Sequence, residues 1–391
     1  MFPALKTLKG GSMKTKLIFT LVAAAVLLIF GSPAQADIIL GAISNRTGPT
    51  SDSSIPHTDG VLHAYAWINS MGGIKGQKIK LIEIDCSYDI PKTVAAFKRL
   101  VETEKVPLVH GFGTPDSMAI IPFSTRTQTI YMPLSYAKEF SDAKNAPYYF
   151  TTNSTYNDAG RSAVQFVKKQ GGKLALLYNN GGFGLAPIAD IKDEAKKLGV
   201  PIVADEHSGY APTDVVQPIL KFKEAGADYI WMGNTTSAMT VLAKDLKKQG
   251  FPTKAIGNIY AATEAFIRNA GPDAEGHYSM YGGTPYGAVD TPAMKQIMAS
   301  TYFDKLNTDY IRGWAQALLV AEVVKITLDA NKKLTGPNLK AAFETLKDFT
   351  PGGLIPPVTF TADDHRPSMV VPVYQVQGGK MVKVWDNRMS R

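Results

Sequence analysis

Residues 111–117 read Gly111-Phe112-Gly113-Thr114-Pro115-Asp116-Ser117, glycines and hydroxyls in front of the apolar stretch 118–123. Two chemistries use such a loop. A dinucleotide fingerprint wants glycine at the sixth position, where this chain has Asp116, and a carboxylate there repels a pyrophosphate. The better reading is a loop whose backbone N–H groups and hydroxyls, at a helix amino terminus, accept an anionic group of a ligand. Asp116 or Ser117 would also serve as an N-cap with no ligand role, and the two roles are compatible. Signs of catalysis are missing. The chain contains no GxSxG elbow, P-loop or HExxH, and its six histidines (His57, His63, His110, His207, His277, His365) show no metal spacing. His57 either touches ligand or caps a turn. The single cysteine, Cys86, leaves no intramolecular disulfide and reads as a packing residue rather than a nucleophile. No enzymatic activity, cofactor or metal is expected.

These residues need a scaffold, and the stretch 37–76 shows its first unit. Ile38, Ile39, Leu40, Ala42 and Ile43 form a near-continuous apolar run, as in a parallel strand buried on both faces. Residues 46–54 are a polar loop that no core needs, with Ser53 as its candidate ligand contact. A helix follows with Val61, Leu62, Tyr65 and Ile68 on one face, ended by Gly72 and Gly73. Loops at the carboxyl ends of parallel strands are where open α/β sheets place ligands. Further strands are predicted at 78–85, 107–111, 130–134 and 148–152, with a helix over 91–104 that has proline near its first turn. A fresh series starts at 173: strands 173–178, 201–204, 229–232 and 254–257, separated by helices near 187–198, 215–225 and 237–249. That alternation argues a second parallel sheet. Its strand-end loops, Ser208-Gly209-Tyr210, Gly233-Asn234-Thr235-Thr236 and Asn258-Ile259-Tyr260, are rich in hydrogen-bonding groups. Helices are predicted at 291–300, 310–329 and 337–346, then a hairpin of 370–376 and 380–384 around Gly378-Gly379. Trp314, on a largely apolar helix, reads as core rather than as a ligand stack.

Thr47-Gly48-Pro49, a helix of this length, and then Asn69-x-x-Gly72-Gly73-Ile74-x-Gly76 resemble the amino-terminal signature of periplasmic solute-binding proteins of ABC importers, the leucine/isoleucine/valine-binding type. The resemblance spans residues 37–391. It implies an α/β fold of two Rossmann-like parallel-sheet domains joined by a three-segment hinge, with the ligand cleft between them. The first lobe would hold 37–153 and 284–358, the second 154–283 and 359–391. Segments 148–157, 276–283 and 351–360 resemble the three crossings. In the family the loop occupied here by Gly113, Thr114, Pro115, Asp116 and Ser117 holds the solute carboxylate. Ser135 and Tyr136 would supply a second pair of polar contacts, unless Tyr136 is ordinary surface. Tyr156 and Asn157 would face the cleft, and Phe183 lies in a turn similar to the family's aromatic-Gly turn. In amino-acid-binding members the last loop carries an acid for the α-ammonium group, and the register places Ile259 there. A buried ammonium without a carboxylate costs on the order of several kcal/mol, so an α-amino acid is disfavoured unless Asp116 or Glu264 compensates. With Tyr136, Tyr156, Phe183, Tyr210 and Tyr260 in the cleft loops, the expected solute is an apolar or aromatic carboxylate or an amide. A branched-chain or other hydrophobic amino acid is the runner-up. The implied partners are this small organic solute and an inner-membrane ABC permease, with the protein a monomer.

Residues 13–36 read as an export signal: Lys14 and Lys16, an apolar run, and the cleavage site Ala34-Gln35-Ala36. The run is short for a membrane anchor, and residues 1–12 look like an upstream extension. A mature chain starting at Asp37 would reside in the periplasm. The net charge is +8, and removing the four lysines of residues 1–36 leaves +4. The basic residues are dispersed, with no run that tracks a nucleic-acid backbone, and the mild positive charge favours anionic solutes by steering.

Overall fold

The computed structural model describes residues 36–300 and 307–389. The expected export signal lies outside them. Two sheets form the scaffold. In the first, β1 (Ile38–Ser44), β2 (Ile79–Asp85), β3 (Leu108–Phe112) and β4 (Ile130–Leu134) are all parallel, in the order β2-β1-β3-β4. Helices α1 (Ser51–Ser70), α2 (Ile90–Lys98) and α3 (Thr114–Thr127) connect them. β3 and β4 are buried along their whole length, which is why their sequences are apolar runs and not alternations.

The second series is α4 (Tyr156–Gln170), β5 (Leu174–Asn179), α5 (Gly182–Leu185), α6 (Ile188–Leu198), β6 (Ile202–Ser208), α7 (Val216–Glu224), β7 (Tyr229–Gly233), α8 (Thr236–Lys248), β8 (Lys254–Gly257), α9 (Glu264–Ala270) and β9 (Tyr278–Ser279). The chain then returns to the first lobe through α10 (Pro292–Met298), α11 (Thr308–Asp329) and α12 (Gly336–Phe343). It ends in the hairpin β10 (Val370–Gln377) and β11 (Lys380–Arg388), which joins the second sheet in the order β11-β10-β9-β8-β7-β5-β6. The core strands of that sheet are parallel, and only the hairpin is antiparallel. The fold is thus the expected pair of α/β domains.

Several local expectations shift. The strand predicted at 148–152 is a single parallel bridge between Tyr131 and Tyr149. The helix predicted over 91–104 leaves α-geometry at Lys98 and ends in a wider π turn, Arg99–Thr103. Phe360 packs edge-on against Phe150, and His365 stacks on Phe150 at 4.1 Å between centroids. The chain's last passage between lobes therefore begins beyond the 351–360 segment expected for it. Ser208 ends β6 rather than standing in a loop.

One contact fixes the interior of the first lobe. Helices α1 and α11 approach through two glycines. A Cβ on Gly60 would lie 2.3 Å from the carbonyl oxygen of Tyr310, and one on Gly313 would lie 2.1 Å from that of His57. This closeness aligns a buried chain of polar side chains. His57 Nε2 donates to Gln316 Oε1 (2.6 Å), the Gln316 amide donates to His110 Nδ1 (2.9 Å), and His110 Nε2 bonds the Tyr65 hydroxyl (2.8 Å). His57 is thus neither a ligand contact nor a turn cap, and Trp314 belongs to the core. Among the described residues no helix is long and apolar enough to cross a membrane.

Candidate functional site

The carboxyl ends of both sheets converge on a small cavity, about 20 Å³, between the lobes. The first lobe supplies one wall. The end of β3 delivers Phe112, Gly113 and Thr114, the end of β4 delivers Leu134, and the start of α1 delivers Thr50 and Ser53. Gly113, at φ 81°, precedes α3, whose amino terminus has no side-chain cap. Pro115 has no N–H, so the donors of this terminus are those of Thr114 and Asp116. Thr114 Oγ1 lies 2.9 Å from Ser135 Oγ. Ser53 Oγ is buried with no partner at all, an arrangement that asks for an explanation.

The second lobe supplies an aromatic wall: Tyr156 at the start of α4, Phe183 on α5, and Tyr260 after β8, with Thr235 before α8. Asn258 aims Tyr260, because its side-chain oxygen accepts the N–H groups of Tyr260 (2.9 Å) and Ala261 (3.1 Å). The Tyr260 and Tyr156 hydroxyls meet at 2.8 Å, and the Tyr260 hydroxyl donates to the Leu134 carbonyl of the other lobe at 3.3 Å. Phe183 stands edge-on to Tyr260 at 5.8 Å. The guanidinium of Arg312 lies 5.1 Å from the centre of the Tyr260 ring and donates to the Ile259 carbonyl at 2.8 Å. Arg312 is itself fully buried and paired with Asp309. Further bonds tie the lobes: Ser237 to Asp52 at 2.7 Å, Thr308 to Glu264 at 2.8 Å and Lys138 to Asp190 at 2.7 Å.

Of the predicted site residues, Ser53, Gly113, Thr114, Tyr156, Phe183, Thr235 and Tyr260 line the cavity. The others stand behind it. Asp116 points away, with Oδ2 3.8 Å from Cys86 Sγ and Oδ1 unpartnered. Burial pushes its carboxyl up to about 6, against bonds from Thr93 and Cys86. Ser117 donates to the Gly113 carbonyl at 2.7 Å. Pro115 abuts Gly182 of the second lobe. Ser135 supports Thr114, and Tyr136 stacks behind Tyr260 with ring centres 6.1 Å apart. Asn157 bonds the Ala186 carbonyl and Asp190 instead of the cleft. Asn234 holds the Gly209 carbonyl at 2.8 Å. Tyr210 packs on Phe183 and Tyr88. At the last loop Ile259 packs towards Gly282, and its neighbour Tyr260 lines the cavity.

Sequence reasoning missed Thr50, Tyr88, Phe112 and Leu134. Leu134 ends a strand that was correctly placed, and Phe112 lay in the glycine loop already singled out, so their positions were available. Thr50 lay in the polar loop already singled out. Tyr88 gave no signal, because it depends on a turn with unusual dihedrals. Neither candidate substitute for the missing acid lines the cavity. Asp116 faces Cys86, and Glu264 is bonded to Tyr281 and Thr308. Burial raises the Glu264 carboxyl, against those bonds.

A family profile described as periplasmic binding protein matches residues 37–380. An amino acid binding protein of Pseudomonas aeruginosa is 24% identical over 266 residues, spanning 64% of this chain and 68% of that protein. The Leu/Ile/Val-binding protein of Escherichia coli is 23% identical over 261 residues, 66% of this chain and 71% of its own length. Among solved structures, a branched chain amino acid ABC transporter protein from Thermus thermophilus with bound valine superposes with a TM-score of 0.84 at 22% identity, over 91% of this chain and 97% of that one. A solute-binding protein from R. palustris in complex with 4-hydroxybenzoate gives 0.77 at 19% identity, over 91% and 98%. The fold, the cleft between the lobes and the profile match over almost the whole described chain agree: the chain belongs to the periplasmic binding protein family.

Proposed function

We propose that this protein is the solute-capturing component of an ABC importer, closing its two lobes over an apolar or aromatic carboxylate, or an amide, and presenting the closed form to an inner-membrane permease. The observation that carries the solute class is the composition of the cavity. Its described lining residues include no acidic or basic side chain, one wall offers an orphaned hydroxyl beside an uncapped helix terminus, and the other is aromatic. A carboxylate or amide oxygen matches the first wall. An apolar body matches the second. An α-ammonium group would be desolvated there with no carboxylate to receive it. Structural neighbours carrying valine or 4-hydroxybenzoate support a small carboxylate in this cleft and differ on the ammonium.

On this reading the lobes move about three chain passages, near residues 153 and 283 and beyond 365, and closure is a hinge motion. The protein acts in the periplasm as a monomer after removal of residues 1–36, and it returns its solute chemically unchanged. Melting-temperature shifts of the purified protein test the solute class, with benzoate, phenylacetate and small amides set against leucine, isoleucine, valine and phenylalanine. A ligand at about a hundredfold its dissociation constant adds roughly 2.7 kcal/mol, a readily measured shift. The ammonium-free compounds are expected to stabilise. Stabilisation by leucine or valine alone would overturn the solute class and leave the transport role standing.

A further inference from the structure

The turn between β2 and α2 contains the only two adjacent non-glycine residues with positive φ among the described residues, Ser87 at 56° and Tyr88 at 61°. The N–H of Asp89 bonds the Cys86 carbonyl at 3.0 Å and closes a four-residue turn over them. Positive φ at both central positions is the conformation that Asn-Gly pairs adopt readily. It crowds Cβ against the following carbonyl in any L residue, and a bulky ring there is a rare outlier.

The surroundings hold the turn in place. Asp85 Oδ1 accepts the Ser87 N–H at 3.0 Å, the Thr47 hydroxyl donates to Asp85 Oδ2 at 2.8 Å, and Thr47 Oγ1 and Ser87 Oγ lie 2.7 Å apart. The Cys86 N–H donates to the Ser44 carbonyl at 2.9 Å. The turn is therefore fastened to the loop after β1, the same loop that leads to Thr50 and Ser53. What this achieves is the placement of one ring. Tyr88 lines the cavity, half-buried, edge-on to Phe112 at 6.0 Å and to Tyr210 of the other lobe at 5.9 Å. It sits so close to Gly113 that a Cβ there would lie 2.3 Å from Tyr88 Cε2. Backbone strain persists where the surroundings over-determine it, and such sites cluster at ligand clamps.

We propose that Tyr88 is the residue that sets solute size: its ring occupies cavity volume beside Gly113 that a bulkier solute would need, and the strained turn exists to hold it there. This rests on the reading of the cavity as the solute site. The test uses the full-length protein and its Tyr88→Gly variant, in which the turn keeps a favourable conformation and the ring is gone, with Tyr88→Phe as a second variant that keeps the ring. Affinities are measured for three short and long pairs: benzoate and 3-phenylpropionate, acetamide and benzamide, valine and phenylalanine. The pair that binds the unmodified protein reports on the solute class. The long-to-short affinity ratio within that pair reports on Tyr88. In Tyr88→Gly that ratio is expected to move towards the long member by roughly tenfold or more, the scale of one or two methylenes in a pocket, and in Tyr88→Phe it is expected to stay. A ratio in Tyr88→Gly within about twofold of the unmodified protein, well below that pocket scale, would overturn the proposal. The melting temperature of ligand-free Tyr88→Gly gives a check that needs no solute. It should hold within a few degrees, and a large fall would make the ring a packing element of the fold and overturn the assignment whichever probes bind.

Discussion

The two walls of the cleft are built from the same kind of strand-end loop and differ in what their polar atoms are left free to do. In the first lobe the strand ends run into helix amino termini, and polar groups there are left without partners, Ser53 Oγ foremost. In the second lobe the polar atoms are already bound to one another: Tyr156 to Tyr260, and Tyr260 to the Leu134 carbonyl. One wall is prepared to donate hydrogen bonds to a newcomer. The other offers ring faces and edges and has few polar sites left to offer. On the proposed function the solute's polar end and its apolar body meet different lobes, so a solute holding both adds a bridge between them.

The largest way to break the comparison is to remove the support of the aromatic wall. Arg312, in the first lobe, lies under Tyr260 and bonds the Ile259 carbonyl, and its only acidic partner given by the geometry, Asp309, is as deeply buried. Arg312→Met leaves the Asp309 charge buried and alone, which costs about 3–5 kcal/mol. Denaturant titration of the ligand-free protein should show that loss. The double variant with Asp309→Leu should recover most of it, since replacing both members of a buried pair is often close to neutral.

A second effect is read by pH and acts in both lobes. Burial lowers His57 to about 4, against its bond to Gln316, and His110 to about 3. Both rings are therefore neutral in the folded protein, whereas an unfolded chain binds protons below about 6.5. Their stabilisation is complete above about pH 6.5 and is lost as pH falls from there towards the folded values. Each ring contributes a slope of about 1.4 kcal/mol per pH unit in that window. His277 in the second lobe, also lowered to about 4 by burial, adds a third. Urea titrations at pH 5, 6 and 7 should show stability falling with acid, and His57→Gln should reduce the slope by one ring's share.

Gly113→Ala acts on the polar wall alone. The new methyl meets the Tyr88 ring and a φ of 81° that L residues rarely adopt. The strain is on the order of 1–3 kcal/mol, and solute affinity should fall with it, read by calorimetry, while the aromatic wall is untouched. Ser53→Ala should cost less, about 0.5–1.5 kcal/mol of affinity, because it removes one hydroxyl that bonds only when solute is present.

The scaffold was legible because parallel strands covered on both faces are apolar along their whole length, and β4 and β8 fell on the residues predicted for them. The first wall was legible because glycine and hydroxyls before a helix have a local meaning. What escaped depends on tertiary context. The segment 148–152 has strand composition but forms only a single bridge to a neighbouring strand, at Tyr149. Asp116 sits in the right loop, yet its rotamer turns it towards Cys86. Tyr260 lines the cavity while its neighbour Ile259 does not, and the Asn258 side chain catching two N–H groups sets that turn. Tyr88 required a backbone state that no residue preference predicts.

A last effect tests whether the lobes are held together by more than the solute. Helix α8, in the second lobe, has no cap from its own Thr235. Asp52, in the first turn of α1 in the first lobe, supplies one across the cleft: its Oδ2 accepts the Ser237 N–H at 3.3 Å and the Ser237 hydroxyl at 2.7 Å. A carboxylate at a helix amino terminus also gains from the helix dipole. This contact can form only when the lobes are closed, so its free energy belongs to closure and not to folding of either lobe. Removing a capping side chain costs about 0.5–2 kcal/mol. Asp52→Ala should therefore weaken solute binding by roughly twofold to thirtyfold, with little change in the melting temperature of the ligand-free protein. Ser237→Ala should weaken it less, since the N–H remains to be capped. Equal losses of affinity and of ligand-free stability would mean that Asp52 supports the first lobe instead, and closure would then rest on the solute, the Tyr260 hydroxyl and the Thr308–Glu264 and Lys138–Asp190 bonds.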